Sequence, residues 1–169
     1  MTATPTMKHS YAHALLAIGL VSGIGFGGSL LVHSTQVRAE APEKSAAAQD
    51  FQRCAACHTA TGAGVPGAFP PLKANVVALA QSAPGRRYLV GAVFRGLAGQ
   101  IQDDGKRYMG VMPAQSLLTD SKAAAVLNHV VANIAGGKAK AFTAAEVSRL
   151  RQATRGSSSA QIAASRPKV

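Results

Sequence analysis

Acidic residues are scarce in this chain: seven Asp and Glu stand against 18 Lys and Arg, for a formal net charge of +11. Tryptophan is absent, phenylalanine and tyrosine number only five and three, and there are just two cysteines, Cys54 and Cys57. Each shortage excludes something. Once both cysteines serve one site, none is left for a disulfide or for a second site of the same kind. A structural zinc site wants four ligands, usually two cysteine pairs or one pair with two histidines. Outside His58 the histidines are His9, His13, His33 and His129, three of them in the N-terminal region, and they do not supply that pattern. No strand-rich, parallel-sheet pattern surrounds the cysteine pair, which argues against a thioredoxin-like setting. There are no internal repeats.

What stands at the pair is Cys54-Ala55-Ala56-Cys57-His58. C-x-x-C-H is the attachment site of a c-type haem. The two thiols, spaced along an incipient helical turn, can both add to the vinyl groups of one porphyrin edge. The histidine that follows is carried beneath the iron, where its Nε2 can ligate. One motif implies one covalent haem c.

Residues 1–39 read as an export signal. Lys8 makes a weakly positive start, an apolar stretch runs over 14–32, and Val37-Arg38-Ala39 offers a small-residue cleavage site. Without cleavage, residues 14–32 are near the lower length limit for a membrane anchor. Covalent haem attachment in bacteria takes place outside the cytoplasmic membrane, so the expected location is the periplasm, or the periplasmic face of the inner membrane if the stretch is retained. Loss of Lys8 and Arg38 with no acid lowers the net charge from +11 to +9. The remaining cations are scattered, which points to steering toward an acidic redox partner or an anionic membrane surface rather than to nucleic acid. A plainly solvated basic surface is the alternative.

Beyond the signal, periodicity predicts an all-α domain at 46–152. A helix over about 46–59 carries the motif, and Gly62, Gly64, Pro66, Gly67, Pro70 and Pro71 make a loop. Helices follow at about 76–81 and 85–97, the latter with Leu89, Val93 and Leu97 at helical spacing. Residues 98–118 are irregular, with a small hairpin indicated at Asp103-Asp104-Gly105. Thr119 or Asp120 caps a strong helix to about Ile134, and Thr143-x-x-Glu146 is a capping box opening a last helix. Residues 153–169, with Gly156-Ser157-Ser158-Ser159 and a Pro-Lys end, read as a disordered tail.

The second axial ligand decides what a haem does. Met112, followed by the stiffening Pro113, is the candidate; its soft thioether favours reduced iron. Met109 is the rival, and His129 would give a bis-histidine site. The other nitrogen of His58 needs an acceptor, for which the Pro71 carbonyl is the candidate. Arg86, Arg87, Tyr88 and Tyr108 are candidate propionate contacts.

With Cys54-x-x-Cys57-His58, Pro70-Pro71-Leu72, Met112-Pro113 and the helix at 123–134, the chain resembles the class I c-type cytochromes over roughly 48–152. The resemblance implies helices wrapped around one haem, with the first and closing helices crossing. It also implies His/Met ligation and one-electron shuttling between a periplasmic dehydrogenase or other donor and an acceptor such as a terminal oxidase. Two alternatives stand beside it: a haem subunit of a dehydrogenase or oxidase complex, and a ligand-binding or peroxidase-like haem protein with a vacatable sixth site.

Overall fold

The computed structural model describes residues 41–169, so the expected signal over 1–39 lies outside the described residues. Helix α1 (Ala41–His58) ends at the motif, and α2 (Ala74–Gln81) and α3 (Ala83–Arg95) follow the glycine- and proline-rich loop. Strands β1 (Leu97–Asp103) and β2 (Lys106–Met112) form an antiparallel hairpin, then α4 (Asp120–His129) runs into a π-helical turn over Val130–Ile134. Helices α5 (Ala144–Ala153) and α6 (Ser159–Ala164) close the chain. The fold is predominantly helical, with the hairpin as its only sheet among the described residues.

Helix starts follow side-chain chemistry. Ser82, Thr119, Thr143 and Ser158 each accept a backbone N–H from three residues on, at 3.1 to 3.2 Å, satisfying a donor the helix cannot. In the hairpin, Asp104 and Gly105 both take positive φ, 51° and 69°. That is the type I′ geometry which matches the twist of two antiparallel strands and which Asp-Gly favours.

Helix α1 packs on α4. Ala47 and Phe51 are buried on the first, Ala123 and Ala124 on the second, and small residues let the backbones approach closely. His129 stacks on Phe51 with ring centroids 5.5 Å apart, so it is part of this helix contact and does not face the haem motif's cleft.

Two expectations are corrected here. Arg86 is buried in the protein and is not available to a propionate. Its Nε and Nη2 fork onto the Glu146 carboxylate at 2.7 and 2.6 Å. Nη1 donates to the Ala80 and Lys140 carbonyls at 2.9 and 2.8 Å, and Nη2 also reaches that of Ala141 at 3.4 Å. The guanidinium lies 3.7 Å over the Phe142 ring. Because Glu146 is drawn to Arg86, it does not close the expected capping box; only the Thr143 half forms.

The second correction concerns the expected tail. Ser158 and Gln161 make a reciprocal capping box and start α6, whose Ile162 and Ala163 are buried. Ile162 packs where Gly91 of α3 has no side chain. Arg87 and Arg95 hold the approach to α6, donating to the Ala153 and Ser157 carbonyls at 3.1 and 2.9 Å. Arg87, bound on this face, is therefore also remote from the cleft described below.

Candidate functional site

The C-terminal end of α1 delivers Cys54, Cys57 and His58 to a cleft whose far wall is the hairpin. Its outer and inner parts are both lined by Cys54, His58, Pro70, Leu97, Ile101 and Met112. The lining is mostly apolar, as cofactor sites are.

Strand geometry explains the wall. Side chains alternate across a strand, and the register pairs Leu97 with Met112, Gly99 with Gly110, and Ile101 with Tyr108. All six residues line the outer cleft. The odd-numbered Met109 falls on the other face and is 68% exposed. Between the two side-chain rungs, Gly99 and Gly110 present bare backbone; a Cβ on Gly99 would meet nothing within 4 Å. A flat ring system fits against such a wall, and with two thiols and an imidazole at the opposite side the residues suit a covalently held porphyrin.

His58 is buried, and its Nδ1 lies 2.8 Å from the Pro70 carbonyl oxygen. A carbonyl only accepts, so Nδ1 carries the hydrogen and Nε2 keeps its lone pair. Burial pushes the imidazole pKa down, partly offset by that hydrogen bond, and favours the neutral ring. The expected acceptor was Pro71; the structure places it one residue earlier. Pro71 confines the residue before it to extended backbone, so the second proline orients the carbonyl of the first. Burial likewise raises the Cys54 thiol pKa.

Gly96 ends α3 at φ 71° and ψ −178°, a conformation essentially reserved for glycine. A Cβ there would collide with the Met112 carbonyl oxygen. Gly96→Ala is expected to cost on the order of 1–3 kcal/mol, read by denaturant unfolding. Gly156→Ala, where a Cβ meets nothing within 4 Å, serves as the neutral control.

Of the expected propionate contacts the two tyrosines line the cleft, Tyr108 its outer part and Tyr88 its inner part, and the two arginines do not. Sequence reasoning missed Asp103 and Arg166, which line its inner part. The alternation of β1 carried a signal for Asp103; nothing local marked Arg166.

Residues 45–133 match the cytochrome c family. Over 108 residues the chain is 43% identical to a cytochrome c-552 of Thermus thermophilus, covering 62% of this chain and 82% of that protein. A second cytochrome c-552, from a named strain of the same species, gives the same identity over the same length, covering 73% of that relative. Helices α5 and α6 lie beyond the family match. Motif, cleft and match agree, and the chain belongs to the cytochrome c family: it holds haem c covalently, Cys54 and Cys57 being the thiols of its haem-binding motif, and it serves electron transfer as a carrier, not an enzyme.

Proposed function

We propose that the protein is an exported one-electron shuttle whose haem is ligated axially by His58 and Met112, passing electrons from a periplasmic dehydrogenase or other donor to an acceptor such as a terminal oxidase. The observation that carries this reading is that His58 and Met112 line one cleft while Met109 faces away from it. The bound haem supplies a one-electron iron couple. The protein's part is to hold the ligands still. Pro70 fixes the imidazole, and the strap after Met112 is tied down by the Gln115 N–H, which donates to the Val93 carbonyl at 2.7 Å.

Partner contact is best supported at the mouth of the cleft. Ala68, Val111 and Pro113 are exposed there, Val111 at 72%, and Arg53 stands beside them. An apolar rim with cations favours close, short-lived docking to an acidic surface. Among the described residues no helix is long and apolar enough to cross a membrane. Export therefore rests on the signal-like composition of residues 1–39.

The oxidised protein is expected to show the weak far-red band of sulfur ligation and a low-spin spectrum. High-spin iron that readily binds carbon monoxide when reduced would overturn the ligation and favour a vacatable site.

A further inference from the structure

A charged cluster closes the inner end of the cleft, and half of it comes from beyond the family match. Arg166, just past α6, forms an ion pair through Nη2 with Asp103 Oδ1 at the end of β1. Its Nε donates to the Gln102 carbonyl at 3.0 Å, and the guanidinium lies 5.3 Å from the centre of the Tyr88 ring. Asn75 Nδ2 donates to the same Asp103 oxygen at 3.1 Å. The side chains of Asp103 and Arg166 are 4% and 13% exposed.

Stability alone is a weak reason for such a pair. Desolvating two charges costs about what their attraction returns, and apolar residues of similar volume often do as well. Position is the better clue. Asp103, Arg166 and Tyr88 line the same inner cleft as Cys54, His58 and Met112. Among the described cations only Arg53 and Arg166 line the cleft at all, and Arg53 stands exposed at its mouth. A guanidinium has five N–H donors. Arg86 spends all of its own within the protein, whereas Arg166 directs Nε to the Gln102 carbonyl and Nη2 to Asp103 and lies beside Tyr88 at the cleft.

Porphyrin chemistry supplies the direction. The vinyl groups sit on two adjacent pyrroles and the propionates on the other two. Thioether bonds at Cys54 and Cys57 therefore hold one edge at the end of α1 and send the carboxylates across the cleft. Carboxylates entering a buried site require charged hydrogen-bond donors.

We propose that Arg166 is the propionate partner of this protein and that Asp103 is the positioning residue that holds it there, so that the C-terminal segment sets the charge beside the haem and thereby its reduction potential. The proposal rests on haem attachment at Cys54 and Cys57 and is independent of which residue fills the sixth position. A cation near the haem favours the reduced form, and a buried anion favours the oxidised form.

The test is the midpoint potential of the purified holoprotein, read with the infrared carboxylate bands of the propionates in redox-difference spectra. Arg166→Gln is expected to shift the one-electron equilibrium about tenfold toward the oxidised form, equivalent to about 59 mV. Asp103→Asn is expected to shift it the opposite way. Arg166→Lys recovers most of the loss, and Arg87→Gln changes neither potential nor bands. The propionate bands move in Arg166→Gln. Midpoints that move in the same direction or stay put in the two variants, or unmoved propionate bands, overturn the proposal, whatever happens to melting temperature. Should Arg166→Gln fail to retain haem, Asp103→Asn and Arg166→Lys decide. A raised midpoint in the first with displaced propionate bands in both supports the proposal, and any other result overturns it. A failure of His/Met ligation would appear separately, in the far-red band.

Discussion

Met112→Ala is expected to abolish the far-red sulfur band, convert low-spin iron to high-spin, and open the reduced protein to carbon monoxide. The reduction potential should fall by a sizeable part of the roughly 0.8 V over which axial ligands tune haems, because the thioether it removes favours reduced iron. The hairpin's other cleft-facing side chains are Leu97, Ile101, Asp103 and Tyr108, none of them a thioether, and Gly99 and Gly110 carry none. Met109 lies on the opposite face of β2, so Met109→Ala should leave spectrum and potential unchanged. A Met112→Ala protein that keeps its low-spin spectrum would show that the ligand lies elsewhere. The comparison is clean because Met112 is only half-buried, so its packing loss is small beside the spectral change.

Arg86→Ala should produce a large loss of stability, about 3 kcal/mol, the lower end of the cost of removing one partner from a buried ion pair, because Arg86 is buried but Glu146 only partly so. Four carbonyl and carboxylate partners lose their donor at once: Glu146 and the backbone oxygens of Ala80, Lys140 and Ala141. The Phe142 ring loses its cation as well. Arg86→Lys should recover only part, since an ammonium cannot fork onto a carboxylate. The pair also carries a pH signature. Hydrogen bonding to Arg86 holds the Glu146 carboxyl below the ordinary carboxylate range, burial opposing it. A depressed folded pKa gives stability that is full above the unfolded value, about 4.3 for Glu. It is lost as the pH falls through the folded value. The stability gap between wild type and Arg86→Ala should therefore be constant near neutrality and narrow in acid. Denaturant unfolding of the two holoproteins across that range checks it; a gap that widens in acid would contradict the assignment.

The chemistry at Cys54–His58 was legible because it is local: spacing and residue type alone put two thiols and an imidazole at one helix end. Met112 stood out as the candidate ligand for a related reason, the proline after it, and the Asp104-Gly105 turn because two adjacent positive φ values select those residues. The same locality misled at Thr143-x-x-Glu146, where the motif for a capping box was present but a buried guanidinium 60 residues away competed for the carboxylate. Arg86 and Arg87 looked alike as neighbours, yet successive positions on a helix face different directions. One is therefore buried against α5, while the other is exposed and tied to the end of that helix.

The sequence by itself determined that a single haem is attached, where it is attached, and the order of the helices from α1 to α5. Only the tertiary structure decided that Pro70 rather than Pro71 holds the imidazole, that a hairpin with a bare glycine rung forms the opposite wall, and that the last residues fold back. The reason is physical. Covalent attachment and turn formation depend on residues a few positions apart, whereas the partner of a buried charge is whichever group packing brings to it. Arg166 and Asp103 are 63 residues apart, and nothing short of the folded chain places them together at the cleft.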